Sequence, residues 1–469
     1  MKRLDIPYII SSAFRKHSVV RLKVKRVLLQ PARVMMAGFL ALILLGAKLL
    51  TLPVMSTGEP LKFVDALFTA TSGTCVTGLT VIDPGADLTF WGQLVLILLI
   101  QVGGLGFMTF GTVLLMALGR RISLSGRVML SNAWNEDGLQ GMVKLTARIF
   151  TLALSIEGIG AVLLMTRMIP RHGLRGVWYS VFHAISAFCN AGFDLAGGFG
   201  TYRNDAVVLL VVMMLITLGG IGFSVMFDIH KSRCKWHRLS LQSRIVLVMS
   251  AILTLGGGLC FALLEWNNPK TLADPQLHPA MKPIAALFQA VTLRTAGFQT
   301  LVQNDLTSPS LVLTLLLMFI GASPASTGGG IKTTTFAVFC LMIYNVLRGQ
   351  EKVSVFRRTI NTHTLNQAVV LTTLALLLTM VSHIVLSLVL PASEVVTASN
   401  LLYEVVSALT TAGMTVGVTA ELNTAGKIIL CLVMFTGRVG LMTIAYGLTK
   451  KASHGKNNLA YPEGRIMIG

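Results

Sequence analysis

The chain has 469 residues, of which 54% are hydrophobic and 12% charged, with a mean hydropathy of +0.73. A soluble chain carries about 25% charged residues, so this composition excludes an ordinary soluble domain and predicts a polytopic membrane protein. The net charge of +20 would suit nucleic acid, but the basic residues lie in loops between apolar runs, which argues against that partner.

In chain order, residues 1–33 carry nine basic residues against one acid, Asp5. No apolar run with a cleavage site follows directly, so this stretch predicts a cytoplasmic, surface-lying segment rather than a secretory signal. A membrane span needs about 20 apolar residues. Runs of that kind occur near 34–54, 90–118, 145–169, 206–229, 243–264, 311–347, 365–390 and 425–448. Each successive pair flanks a shorter, small-residue-rich stretch: FTATSGTCVTGLTV from Phe68, FHAISAFCNAGFD from Phe182, LFQAVTLRTAGFQ from Leu287 and YEVVSALTTAGMT from Tyr403. Their glycines, Gly78, Gly192, Gly297 and Gly413, recur roughly every 110 residues, a repeat that sets the whole organisation. A large apolar residue follows each glycine, and another (Phe68, Phe182, Leu287, Tyr403) stands ten positions before it.

The expected fold is an all-α integral membrane protein with eight transmembrane helices and four re-entrant pore loops around one central pore. Its repeats would occupy 34–120, 121–240, 241–350 (with a broken second span) and 351–450, followed by a cytoplasmic tail at 451–469. Lysine and arginine gather at the N-terminus and around 120–148, 231–244, 348–358 and 450–465, while the opposite loops hold Glu59, Asp83, Asp87, Asp205, Asp274 and Glu421. The positive-inside rule therefore puts both termini in the cytoplasm, with the glycine stretches dipping in from outside. The six cysteines form no CxxC pair and no cluster with histidine, which suggests small apolar filler.

Non-helical backbone at membrane depth is tolerated only where protein buries it or a water-filled path solvates it. A dehydrated K⁺ needs oxygens to replace its water, and rings of backbone carbonyls supply them. Glycine reaches the required positive φ at no steric cost. The preceding half-helices would aim their partly negative C-termini at the centre. The stretches contain no Asp or Glu in the loop itself, which disfavours hard divalent ligation. The plainer alternative is a set of glycine-containing turns between helices. Four in register on one side favour the path.

On these stretches, together with GASPASTGGGIKTTT from Gly321 and the terminal YPEGRIMIG, the chain resembles the Trk/Ktr/HKT superfamily of K⁺ transporters over about residues 34–469. It is most similar to the bacterial Ktr membrane subunit, since Trk-type relatives carry two further spans that residues 1–33 cannot hold. The resemblance implies a selectivity filter at Val76, Thr77, Gly78, Asn190, Ala191, Gly192, Thr295, Ala296, Gly297, Thr411, Ala412 and Gly413. Gly78 stands where some Na⁺-preferring plant relatives have serine, and Asn190 and the neighbouring Arg294 make the ring unequal. No cofactor is implied, only K⁺ and Na⁺ as transported or activating ions. The implied partners are a second copy of the chain, contacted through the tail, and a cytoplasmic ring of nucleotide-binding RCK-type subunits. The location would be a bacterial inner membrane.

Two further features concern gating. The sixth run is interrupted by Gly321, Ala322, Ser323, Pro324, Ala325, Ser326, Thr327, Gly328, Gly329 and Gly330, followed by Lys332. Three glycines cost roughly 1 kcal/mol each in a helix and proline about 3, so no helix continues there. The resemblance implies a loop that blocks the pore below the filter. Arg438 lies in the eighth run, where a charge is expensive and functional by default. Gly104 and Gly220 stand at matching positions in other units. Arg438 is expected to hold the loop's carbonyls or hydroxyls, the alternative being an ion pair with Glu157. No P-loop or catalytic pair is visible, so no enzyme is expected. The competing functions are a Na⁺-permeable uniporter of the same fold and an inverted-repeat secondary transporter.

Overall fold

The computed structural model describes residues 31–106, 109, 142–350 and 352–448. The expected N-terminal segment, apart from its last residues, and the expected tail at 451–469 lie outside them.

One order of elements recurs four times: a long helix, a short helix ending near a glycine, then a second apolar helix. The first set is α1 (Pro31–Leu50), α2 (Phe63–Cys75) and α3 (Phe90–Leu105). The second is α4 (Met142–His172), α5 (Arg175–Phe188) and α6 (Ala206–Ile221), continued by α7 (Phe223–Lys231). The third starts with α8 (Leu241–Ala251), a π-turn at Ile252–Gly256 and α9 (Gly257–Glu265). It goes on through α10 (Lys282–Thr292), α11 (Ser308–Phe319) and α12 (Thr333–Leu347). The fourth is α13 (Thr362–Val389), α14 (Ala398–Thr410), α15 (Thr424–Val439) and α16 (Leu441–Leu448). Between α12 and α13 a two-residue hairpin pairs Ser354–Val355 with Arg358–Thr359.

Among the described residues, four stretches are long and apolar enough to cross a membrane: Ala32–Leu50, Val143–His172, Leu241–Glu265 and Thr362–Val389. They are the first helices of the four sets. α6 and α7 pass the same test together but meet at 90°, and α3, α11 and α12 are apolar but shorter.

Several helix starts are written into the sequence. Side chains of Thr89, Asp205, Ser240, Thr397 and Asn423 accept first-turn backbone N–H groups of α3, α6, α8, α14 and α15, which satisfies donors a helix end leaves free. The helix ends are less legible. A break was expected in the third set alone, yet every second helix stops at an equivalent depth. α3 stops before Gly106 (φ 82°), α6 before Gly222 (φ 98°) and α15 before Gly440 (φ 91°). The run expected at 206–229 is therefore two helices, and the run at 425–448 is two more.

The short helices are buried along most of their length, α2 from Phe68 through Cys75 and α14 from Tyr403 through Thr410. The large apolar residues after the four glycines, Leu79, Phe193, Phe298 and Met414, are all buried. Of those ten positions before, Phe68, Phe182 and Tyr403 are buried but Leu287 is only partly so. Phe288 takes the buried position instead, because the third loop is one residue shorter between its hydroxyl residue and its glycine.

Candidate ion pathway

Each loop leaves its short helix through a residue in the left-handed region: Val76 (φ 58°), Asn190 (φ 60°), Thr295 (φ 67°) and Thr411 (φ 54°). Two positions later come Gly78, Gly192, Gly297 and Gly413, also at positive φ. Non-glycine residues pay roughly 1–2 kcal/mol for that conformation, so four of them at matching positions, each two residues before a positive-φ glycine, mark a built feature.

The four loops meet in a closed ring. A Cβ placed on Gly78 would lie 2.6 Å from the carbonyl oxygen of Ala191, and one on Gly192 2.5 Å from that of Ala296. One on Gly297 would lie 2.9 Å from the oxygen of Ala412, and one on Gly413 would strike that of Thr77. The contacts run from first loop to second, third, fourth and back to first. No side chain fits at these glycines.

A hydroxyl in three of the four short helices braces its loop, a role the sequence reading did not assign. Ser72 Oγ accepts from Gly78 N–H at 3.1 Å. Ser186 Oγ both accepts from Phe193 N–H and donates to Phe193 O, each at 3.0 Å. Thr292 Oγ1 donates to Phe298 O at 2.8 Å. Ser407 occupies the fourth such position, and its backbone carbonyl accepts from Ala412 N–H at 2.8 Å. The signal was present as a hydroxyl residue five or six positions before every glycine. The C-termini of all four short helices face the ring, and helix dipoles there favour a cation.

The loops differ in sequence at Asn190 and beside Arg294, the two positions expected to make the ring unequal. Asn190 lies 3.2 Å from the Thr295 hydroxyl. With its amide oxygen toward that hydroxyl, its nitrogen faces the carbonyls of Ala187 and Ile216. Arg294 turns away from the ring, donating to Ser250 Oγ at 3.2 Å and Thr254 Oγ1 at 3.4 Å, beside the π-turn of the α8–α9 helix.

On the side where the loops run on to the second helices, the glycines floor a cavity of about 750 Å³ that Asp83, Asp87 and Asp194 also line. Asp194 Oδ1 lies 2.5 Å from Nε2 of the buried His183, whose Nδ1 lies 2.6 Å from Tyr179 O. Burial pushes the Asp194 carboxyl up, but His183 and the backbone N–H groups of Ala196 and Gly198 outweigh it and hold the group below its ordinary value.

Beneath the ring lies the break between α11 and α12. Gly321 N–H donates to Ile331 O at 2.9 Å, which closes a loop of residues 321–331. A Cβ on Gly328 or Gly329 would collide with the Thr295 or Thr411 hydroxyl, so this loop is packed directly against ring residues. The second set holds one side. Ser323 N–H donates to Gly220 O at 3.0 Å, Thr327 N–H to Gly219 O at 3.2 Å, and Phe223 N–H to Ala325 O at 2.9 Å. Thr327 Oγ1 donates to Phe188 O at 3.0 Å, while Lys332 Nζ donates to Gly328 O at 2.8 Å.

Arg438 holds the other side. Its Nη1 donates to Thr327 O, and its Nη2 donates to Gly103 O and, at 2.9 Å, to Gly104 O. One guanidinium thus joins the third set's loop to the free carbonyls at the end of α3, a placement that suits a cation at a helix C-terminus. Gly104, Gly220 and Arg438 each stand two residues before a break glycine, Gly106, Gly222 and Gly440. Glu157 does not pair with Arg438. Its carboxylate accepts from Gln101 Nε2, 3.0 Å from each oxygen.

The family model described as TrkH, cation transport protein, matches residues 10–459. The chain is 40% identical to the Ktr system potassium uptake protein B of Bacillus subtilis, covering 95% of this chain and 98% of that one. It is 38% identical to the potassium/sodium uptake protein NtpJ of Enterococcus hirae, covering 94% and 98%. The crystal structure of the potassium transporter TrkH from Vibrio parahaemolyticus superposes with a TM-score of 0.68 over 88% of this chain and 85% of that one, at 19% identity, which speaks for the fold. This helical integral membrane chain belongs to the TrkH cation transport protein family.

Proposed function

We propose that the chain takes up K⁺ across a bacterial inner membrane through one pseudo-tetrameric pore. Eight spans and four re-entrant loops would make up its four repeats, with both termini in the cytoplasm. The carrying observation is the closed ring of Gly78, Gly192, Gly297 and Gly413. In this reading Val76, Thr77, Asn190, Ala191, Thr295, Ala296, Thr411 and Ala412 complete the filter, and their carbonyls replace the ion's water.

The acidic cavity above would concentrate cations. The loop Gly321–Gly330 with Lys332 acts as a gate, and Arg438 latches it shut. Membrane potential supplies about 2.3 kcal/mol per charge at 100 mV. The Ktr and potassium-uptake relatives support K⁺ as the cargo, and the name Ktr system supports a partner subunit, which in this reading is a cytoplasmic RCK-type ring bound to a pair of these chains.

A second reading, permeation by Na⁺ as well or activation by it, draws on the potassium/sodium relative and on the unequal ring. Uptake of ⁸⁶Rb⁺ into proteoliposomes, with and without Na⁺, tests both. Uptake that K⁺ competes away is expected. Vesicles that take up ²²Na⁺ equally well would favour the second reading, and vesicles that take up neither would refute the first.

A further inference from the structure

Behind the loop at 321–331, on the side away from α6, lies a second cavity of about 260 Å³. Its walls come from the third and fourth sets: Phe319 of α11, Ile331 of the loop, Leu371 and Ala375 of α13, Leu409 of α14 and Met442 of α16. Two of its polar side chains are already engaged, Lys332 Nζ with Gly328 O at 2.8 Å and Thr410 Oγ1 with Val406 O at 2.7 Å. The other two, Thr335 and Thr443, each offer a single hydroxyl, and the remaining lining residues are apolar or glycine. The volume is that of roughly nine waters at 30 Å³ each, below the usual range for a drug-sized pocket. It suits a slender apolar chain.

The surroundings name the occupant. The cavity is partly open, and just beyond its α13 wall the same helix exposes Leu376, Leu377 and Met380. α13 is long and apolar enough to cross a bilayer. At that depth the solvent is hydrocarbon, so the most abundant molecule able to enter is a lipid acyl chain.

We propose that this cavity binds an acyl chain of a membrane lipid, and that the chain keeps the loop beneath the ring. Two positive-φ glycines border the space, Gly330 at the end of the loop and Gly440 at the α15–α16 break. They are the points about which the loop and the segment carrying Arg438 can turn. A chain lodged between them backs Ile331 and Lys332 against the ring and leaves Thr327 O on Arg438. Opening then requires the chain to leave. The regulatory half of this inference rests on the gate reading above, whereas occupancy does not.

The full chain is reconstituted in phosphatidylcholine vesicles that contain a lipid with a diazirine at the end of one acyl chain. After photolysis, adducts are assigned to residues by mass spectrometry, and ⁸⁶Rb⁺ uptake is measured on the same preparation. Adducts are expected at Leu371 and Met442 in addition to the exposed Leu376 and Leu377. Ala375→Phe should lose the first pair and keep the second, and it should take up less Rb⁺ because its ring stays fixed in the space that the chain vacates when the loop opens. Leu371→Trp fills the same space from the neighbouring turn and should lose the Met442 adduct and uptake likewise, should Ala375→Phe fail to insert. Adducts confined to the exposed residues would overturn the site. Loss of the cavity adducts with unchanged uptake would overturn its control of the loop. A wild-type chain that carries no Rb⁺ would strike the transport reading, and the adduct pattern would still decide the site.

Discussion

The Arg438 guanidinium donates to the carbonyl oxygen of Thr327, which ties the fourth set of helices to the interrupted helix of the third. The same side chain reaches Gly103 O and Gly104 O at the end of α3. Hydrogen bonds to a charged group contribute about 1.5–3 kcal/mol. Replacing Arg438 by Gln should therefore bias the loop away from its place under the ring by about 2 kcal/mol, or roughly 30-fold. Faster ⁸⁶Rb⁺ uptake in proteoliposomes is expected, and unchanged uptake would remove Arg438 from the proposed gate.

Ser72 and Ser186 hold the backbone of their loops through their hydroxyls. A hydrogen bond of this kind is worth about 1 kcal/mol. Ser186→Ala should leave the chain folded while loosening the second loop, so that discrimination between Rb⁺ and Na⁺ falls by about fivefold. Competition of Na⁺ with ⁸⁶Rb⁺ uptake measures it. Undiminished discrimination would mean the hydroxyl only braces the helix end.

Gly413 stands at φ 78°, with the Thr77 carbonyl where a Cβ would go. Gly413→Ala meets a conformational cost of roughly 1–2 kcal/mol and a backbone clash besides. Uptake should fall to background, with protein still recovered from the membrane. Wild-type uptake by this variant would contradict the close approach of the first and fourth loops.

Asp194 holds its proton less tightly folded than unfolded, since His183 and two backbone N–H groups favour the carboxylate. A depressed carboxyl stabilises the fold fully above its unfolded value, about 3.9, and that contribution is lost as pH falls through the lower folded value. The melting temperature of wild type should exceed that of Asp194→Asn at about pH 5, and the margin should shrink as the solution is made more acid than about pH 4. A margin that widens below about pH 4 would contradict the assignment.

The glycine stretches were legible because each needs small residues, positive φ and apolar flanks at once, and that combination survives as a pattern at four places. The loop from Gly321 was legible for a similar reason, since proline and three glycines forbid a helix. The other three breaks were not, because a single glycine inside an apolar run, such as Gly106, Gly222 or Gly440, costs a helix only about 1 kcal/mol. Tertiary packing decides what it does. The braces at Ser72, Ser186 and Thr292 were overlooked because serine and threonine in a half-buried helix bond mostly to their own preceding turn, as Thr71 does with Leu67 O. Taking Phe288 rather than Leu287 as the buried residue required the hydroxyl, not the glycine, as the point from which to count. Arg438 stood out by charge alone, but its three acceptors come from two other sets of helices and no local pattern names them.

The central claim is that four loops surround one site where backbone oxygens replace the water of K⁺. Diffraction from crystals grown in Rb⁺, recorded at the Rb absorption edge, tests it most directly. The account predicts an anomalous peak on the axis enclosed by Thr77, Ala191, Ala296 and Ala412. A ring with no peak on that axis, and Rb⁺ found only in the acidic cavity beside Asp83 and Asp87, would contradict it.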